Sequence, residues 1–354
     1  MDDAQAYEAI RHSVAVYRRG QKFVEVEGSQ RGELLSHVLA KSSEYVQSGS
    51  SLETLCLDDD GRPIDLVLAV VDEDKTLLVT DVEDGAVAHL AEAAEELGLD
   101  DVTITPLDGW VAVAVEGPKC WRIVENLIED DLASMALNER RPATSPLGAP
   151  GLLVRTGWTA EFCYLWLGQA PAEETLASFV ARAEGEGGGA CTPDALLRAK
   201  LEVNSPVFPQ LYEGLTLREA GHEWLDGVGR DDDYRGRNED TDTPRQRGLI
   251  AVRAYGQDIP PAGTPVEAGG TPVGSIFLAA PACGQPDGYA LALLDVPFEV
   301  PGLELTAGGV AVKTISRPAV DPESWGERIG SEVAGSSLHY EELENMLSAQ
   351  QDEG

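Results

Sequence analysis

Beyond Arg247 the helical periodicity of the earlier chain stops, and the sequence becomes short apolar strands cut by glycine and proline: LIAVRAY, TPVEAGGTPVGSIFLAA, GYALALLDVP and LELTAGGVAVKTI. Short strands at this spacing, with turn residues between them, close into a small β-barrel or sandwich. Such a unit buries its own core, so everything upstream must build separate ones. With 354 residues and 43% apolar content, the chain has room for two or three packed units.

Upstream the text is α+β. FVEVEG, LETLCL, IDLVLAVV and TLLVTDV read as strands, with an amphipathic helix at Arg31–Lys41 among them. A helix at Ala86–Leu97 stops at Gly98. Strands VTITPL and WVAVAVEG follow, and Gly117-Pro118 opens a further helix through Trp121–Asn138. Residues Pro142–Pro150 read as a connection, leading into a strand pair over Leu152–Leu167 with a GWTAE turn. Next come a helix at Pro171–Ala183, a flexible loop at Glu184–Ala190, and a helix opened by Thr192-Pro193-Asp194 as N-cap, first-turn proline and acidic first turn. These boundaries divide the chain into an α+β lobe over 1–150, to which the chain could return later, a second over 151–245, the barrel over 246–320, and a polar tail over 321–354. The tail carries one expected helix near Glu341–Ala349. It is either disordered or a partner-binding appendix.

The formal charge of −36 repels phosphate backbones and anionic lipid, and no basic patch offsets it, so nucleic-acid and membrane partners are set aside. No apolar run is long enough to span a bilayer and the acidic N-terminus lacks a signal peptide's pattern, so a cytoplasmic location is expected. The acidic runs Asp58–Asp60 and Asp231–Asp233 read as solvated loops. Five cysteines, widely spaced and without a C-x-x-C pair, read as reduced thiols, and five histidines without ligand spacing predict no metal site.

The stretch Arg155-Thr156-Gly157-Trp158-Thr159-Ala160-Glu161-Phe162-Cys163-Tyr164-Leu165-Trp166 resembles the R-T-G-Y-T-G-E-D-G-F-E-I segment of the glycine-cleavage aminomethyltransferase (T-protein) family. The likeness is collinear. LDDDGRPIDLVLAV is similar to the family's N-D-x-G-G-I-I-D-D-L-I-V, VAVAVEGPKCWRIVENL to A-x-x-G-P-x-A-x-x-V-L, TLREAGHEWL to T-P-L-E-A-G-x-x-W, YRGR to F-I-G-R, and IPPAGTPVEAGGTPVGSIFLAAPA to the family's barrel segment. The resemblance implies a three-lobed α+β fold around a central channel, with two α/β folate-binding-type lobes, a C-terminal β-barrel, and tetrahydrofolate held with its pterin between the lobes.

A pterin ring offers a fork of N–H donors that a buried carboxylate matches, an aromatic side chain gives it a stacking face, and one-carbon transfer to nitrogen needs a carboxylate near the amine. The resemblance therefore places Asp65 as the catalytic proton handler and Trp158 as the pterin platform. It puts Leu165 where the pterin-anchoring glutamate belongs, and Leu196 and Leu197 on the Arg-Asp pair of the family's G-A-R-D helix. Glu161 is the nearest carboxylate that could replace the lost anchor. Arg198 lies about 200° around the helix from Leu196 and is not an obvious substitute. Against these roles, Asp65 beside Pro63 is equally a turn carboxylate, Trp158 a core aromatic, and Cys163 an inert buried thiol. Glu202 and Glu219 read as structural.

Each lost polar partner in a dry pocket costs about 1–3 kcal/mol, so several such losses weaken pterin binding by orders of magnitude. The first functional reading is a divergent tetrahydrofolate-dependent one-carbon transferase acting on a small molecule. The alternative is a T-protein-like scaffold without folate binding, which either catalyses another reaction on an apolar small molecule or serves as a non-catalytic binding protein, with the tail as a candidate site for a protein partner.

Overall fold

The computed structural model describes residues 1–43, 46–83, 85–227, 230, 232–237 and 244–325. The helix expected near 341–349, the remainder of the tail and Asp231 of the second acidic run lie outside the described residues. Helix α1 (Asp3–His12) starts with a capping box between Asp2 and Gln5 and leads into β1 (Ala15–Arg19). The chain then turns away through β2 (Lys22–Glu27), α2 (Arg31–Val38), β3 (Ser50–Leu57), β4 (Pro63–Val71), β5 (Lys75–Thr80), α3 (Ala86–Glu96) and β6 (Thr103–Pro106). These five strands form one sheet in the order β3-β4-β5-β2-β6.

The second sheet collects strands from far apart. After β7 (Trp110–Glu116) come α4 (Cys120–Val124), β8 (Arg140–Thr144), β9 (Pro150–Thr156), β10 (Cys163–Gln169), α5 (Ala172–Gly185) and β11 (Gly189–Ala190). The sheet order is β11-β1-β7-β10-β9-β8, so β1 pairs antiparallel with β7 and parallel with β11. A division at residue 150 runs through the β8–β9 hairpin, where Thr144 pairs with Pro150.

The two sheets meet face to face. Phe23, Leu68, Val70, Leu77 and Val79 of the first interdigitate with Ala112, Ala114, Val154, Leu165 and Leu167 of the second. Strand alternation sends Tyr164 and Trp166 to the opposite face, against α5 residues such as Phe179. Helices α2 and α3 cover the outer face of the first sheet through Leu34, Leu35, Val38 and Leu90. The result is helix, sheet, sheet, helix.

Helix α6 (Pro193–Glu202) begins where Thr192 Oγ1 accepts from the Ala195 N–H, as its sequence predicts. It packs on α1 through Ala195 and Ala199. The short α7 (Leu217–Ala220), held by a Thr216/Glu219 capping box, leads towards β12 (Arg247–Ala254), β13 (Pro265–Ala268), β14 (Thr271–Ala279), β15 (Gly288–Asp295), β16 (Glu304–Ala307) and β17 (Val310–Ile315). These six close into a barrel, the unit the sequence change at Arg247 foretells. Leu249, Ala251, Tyr289 and Leu291 on its outside pack against Leu55, Leu57, Leu66 and Leu201 of the α+β part.

Two local expectations change. The helix expected through Trp121–Asn138 stops at Val124, continuing only as 3-10 turns at Glu125–Leu127 and Leu132–Ser134. The acidic run Glu129–Asp131 interrupts the apolar stripe, and Asp131 caps the second turn through the Ala133 N–H. The glycine-rich loop is also more ordered than expected: α5 runs to Gly185, and Gly189–Ala190 adds a short strand beside β1. Gly188 permits this approach, since a Cβ there would stand 1.9 Å from the Val14 carbonyl oxygen.

Candidate functional site

The GWTAE turn between β9 and β10 places Trp158 at the rim of the two-sheet core, where it is 1% exposed. Ala160 takes φ +66°, which reverses the chain within this short connection. Glu116, the last residue of β7, fixes the turn. Its Oε1 accepts from the Trp158 N–H (3.0 Å), the Thr159 N–H (2.7 Å) and the Thr159 hydroxyl (2.7 Å), while Oε2 accepts from the Tyr17 hydroxyl (2.5 Å). Ser205 closes the other side by donating to the Trp158 carbonyl.

Around the indole lies a charged cluster that sequence reading did not single out. The Arg19 guanidinium stacks 3.7 Å from the ring centre. Glu53 Oε1 accepts from both Trp158 Nε1 (2.7 Å) and Arg19 Nη2 (2.5 Å), tying the stacked pair together. Asp81 Oδ1 lies 3.5 Å from Arg19 Nε and, among the described residues, makes no hydrogen bond. Lys200 brings its ammonium to 5.8 Å from the same ring. Burial pulls the Lys200 amine below the ordinary lysine range and Arg19 adds to that, against the opposing pull of Asp81, Glu53 and Glu116.

Asp65 stands behind this cluster. It is fully buried on β4, and its Oδ1 accepts from the Asp81 N–H (3.0 Å) and the Val82 N–H (3.1 Å), while Oδ2 accepts from the Ala86 N–H at the start of α3 (3.0 Å). Gly85 allows this closeness, because a Cβ there would meet the Asp65 carboxylate at 2.6 Å. Burial pushes the carboxyl up to about 7 despite the three donors. In this geometry Asp65 anchors the segment that carries Asp81, and among the described residues its hydrogen bonds reach the cluster through that segment.

The remaining expected residues go elsewhere. Glu161 is buried, but its Oε2 accepts from the Ser324 N–H (3.0 Å) and hydroxyl (2.6 Å), and its Oε1 lies 3.5 Å from Arg11 Nη1. Arg11 also reaches Glu202 (3.0 Å), whose other oxygen is held by Arg198 (2.6 Å). Arg198 thus points to a buried ion network, away from Leu196. Leu165 is fully buried in the core that also holds Trp158. Leu196 is half-buried on α6, and Lys200 follows it by one turn on the same helix face. Cys163 is buried, which pushes its thiol well above the ordinary range and favours the protonated form.

Arg19, Glu53, Asp81, Glu116 and Lys200 come from five separate elements or loops, and no local spacing connects them. The one sequence signal was a charged residue ending an apolar strand, as Glu116 ends WVAVAVE and Arg19 ends AVYRR. No group of His, Cys, Asp and Glu able to hold a metal occurs among the described residues. No described helix is long and apolar enough to cross a membrane.

Comparison with known proteins agrees with this architecture. The aminomethyltransferase of Streptomyces avermitilis is 28% identical over 307 residues, covering 83% of this chain and 81% of the relative. Those of Bacillus velezensis (26% over 313 residues, 85% and 84%) and Cutibacterium acnes (26% over 328 residues, 88% of each) are similarly related. The crystal structure of glycine cleavage system aminomethyltransferase T from Bartonella henselae superposes with a TM-score of 0.76 over 90% of both chains at 17% identity. The family described as the GCVT N-terminal domain matches residues 3–224, and the chain therefore belongs to it, as a divergent member of the T-protein group.

Proposed function

We propose that this protein is a small-molecule-binding member of the family whose site is the cluster around Trp158, and that it works without the pterin grip of tetrahydrofolate-dependent one-carbon transfer. The observation that carries this reading is the Arg19 guanidinium lying 3.7 Å from the Trp158 ring centre, tied in place by Glu53. A pterin needs an open aromatic face and a free carboxylate. The residues at the family's positions do not fit that group: the indole has no open surface, Leu165 is sealed in the core, and Glu161 is engaged by Ser324 and Arg11. What the site retains is a half-buried amine, Lys200, within electrostatic reach of Asp81, Glu53 and Glu116, a set that can bind a polar molecule and move a proton.

A second reading keeps tetrahydrofolate and rests on Asp81. Its buried Oδ1, without a hydrogen bond among the described residues, is an acceptor suited to an N–H donor of a ring. In that case Asp81 and Glu53, rather than Glu161 or Leu165, would hold the pterin, with the folate supplying the one-carbon chemistry.

Titration with tetrahydrofolate, followed by tryptophan fluorescence, separates the two. The first reading expects no saturable response at concentrations on the order of 1 mM, where binding is worth only about 4 kcal/mol. A saturable response overturns it. The second reading then requires Asp81→Asn to weaken that response.

A further inference from the structure

We propose that Arg19 Nη1 and Lys200 Nζ form an anion subsite beside Trp158 that takes the carboxylate of a small ligand. The proposal rests on the reading of the Trp158 cluster as the ligand site and names the class of molecule it admits.

Two cationic groups converge on one indole. Arg19 has less than a tenth of its surface exposed; its Nη2 is engaged by Glu53 and its Nε faces Asp81, but its buried Nη1 has no hydrogen-bond partner among the described residues. A buried guanidinium N–H without an acceptor is costly, and native structures satisfy such groups with a protein, water or ligand atom. Lys200 is half-buried on α6, and its ammonium likewise has no hydrogen-bond or ion-pair partner among the described residues, only the Trp158 ring. In a chain with 62 acidic and 26 basic residues, a lysine left unpaired this close to Glu53, Asp81 and Glu116 is unusual.

The neighbouring charges choose the kind of anion. Glu53, Asp81 and Glu116 already place three carboxylates within electrostatic reach of the two cations, so a dianion is repelled more strongly than a singly charged group. A guanidinium N–H and an ammonium can each donate to one oxygen of a carboxylate. The open Asp81 Oδ1 adds an acceptor on the same ligand, so a carboxylate carrying an N–H or O–H group matches more of the site than acetate does.

The six lysines of the chain make the test direct. Trace acetylation with acetic anhydride, read by peptide mass spectrometry, measures the reactivity of Lys200 against the exposed Lys22 in the same sample. At constant ionic strength, sodium acetate is expected to slow Lys200 labelling saturably, about tenfold at ten times its Kd, with Lys22 unchanged. Glycolate should protect at lower concentration, and neutral acetamide and inorganic phosphate should protect poorly. Lys200→Met, checked for native folding by circular dichroism, should lose the thermal stabilisation that acetate gives the wild type. Equal protection by acetamide, protection of Lys22 in parallel, no protection by any carboxylate, or acetate stabilisation surviving in Lys200→Met would each overturn the proposal. A saturable tetrahydrofolate response is the separate result that would remove the reading beneath it.

Discussion

Lowering the pH from neutrality should destabilise the protein through His222. His222 is fully buried, with Nδ1 3.0 Å from the Tyr212 hydroxyl and Nε2 3.2 Å from the Asn204 carbonyl, between the rings of Tyr212 and Trp224. The neutral imidazole satisfies both contacts, donating from Nε2 and accepting at Nδ1. Burial, with the Arg317 charge adding to it, lowers its pKa from 6.5 to about 4. Between those values the unfolded chain binds the proton and the folded one does not, so stability is full above pH 6.5 and is lost as the pH falls towards 4. The loss from this one group is about 2 kcal/mol by pH 5 and about 3 kcal/mol by pH 4, at 1.36 kcal/mol per unit. Urea midpoints at fixed ionic strength, compared between wild type and His222→Gln, isolate the effect. Glutamine keeps one donor and one acceptor but cannot charge, and the many carboxylates titrate equally in both proteins. Parallel stability profiles between pH 4 and 7 would refute the assignment of a buried neutral imidazole.

Other substitutions probe the site's construction. Asp65→Asn turns an acceptor into a donor opposite the Ala86 or the Asp81 and Val82 N–H groups, and should cost about 1–3 kcal/mol in chemical denaturation; an unchanged midpoint contradicts its anchoring role. Trp158→Phe removes the Nε1 bond to Glu53 and weakens the platform under Arg19, which should lower stability by about 3 kcal/mol in thermal melts, whereas a loss under about 0.5 kcal/mol would mean that the stacked pair is not coupled. Glu161→Gln should loosen the segment around Ser324. A weakening of about 1.4 kcal/mol corresponds to roughly tenfold faster proteolysis within 319–325, and equal cleavage rates would show that the segment is held elsewhere.

Periodic features were legible in the sequence, and convergent ones were not. The barrel beyond Arg247, the Thr192 cap and the paired strands flanking GWTAE follow from turn residues and strand alternation, which are local properties. The helix after Cys120 is shorter than expected because an apolar stripe is only a preference: the α-helix stops at Val124, and the acids at 129–131 break the stripe beyond it. At the site, the aligned segment singled out Trp158, but nothing local reveals that Arg19 covers its face or that Glu53 holds both. Asp65 was singled out by the family resemblance and not by its surroundings, since its partners lie 16 to 21 residues ahead, across a strand and a loop. Lys200 shares a helix face with Leu196, a relation the sequence contains, but its approach to Trp158 depends on how α6 packs against α1.

The placement of β1 bears on how the protein is made. This strand is synthesised before both of its partners, β7 at Trp110–Glu116 and β11 at Gly189–Ala190, while the strand directly after it joins the other sheet. The first sheet can complete itself once β6 has emerged, but β1 must wait through it with its backbone unpaired. A nascent chain stalled between the two sheets therefore exposes a free strand edge, and slow decoding there should favour aggregation over folding.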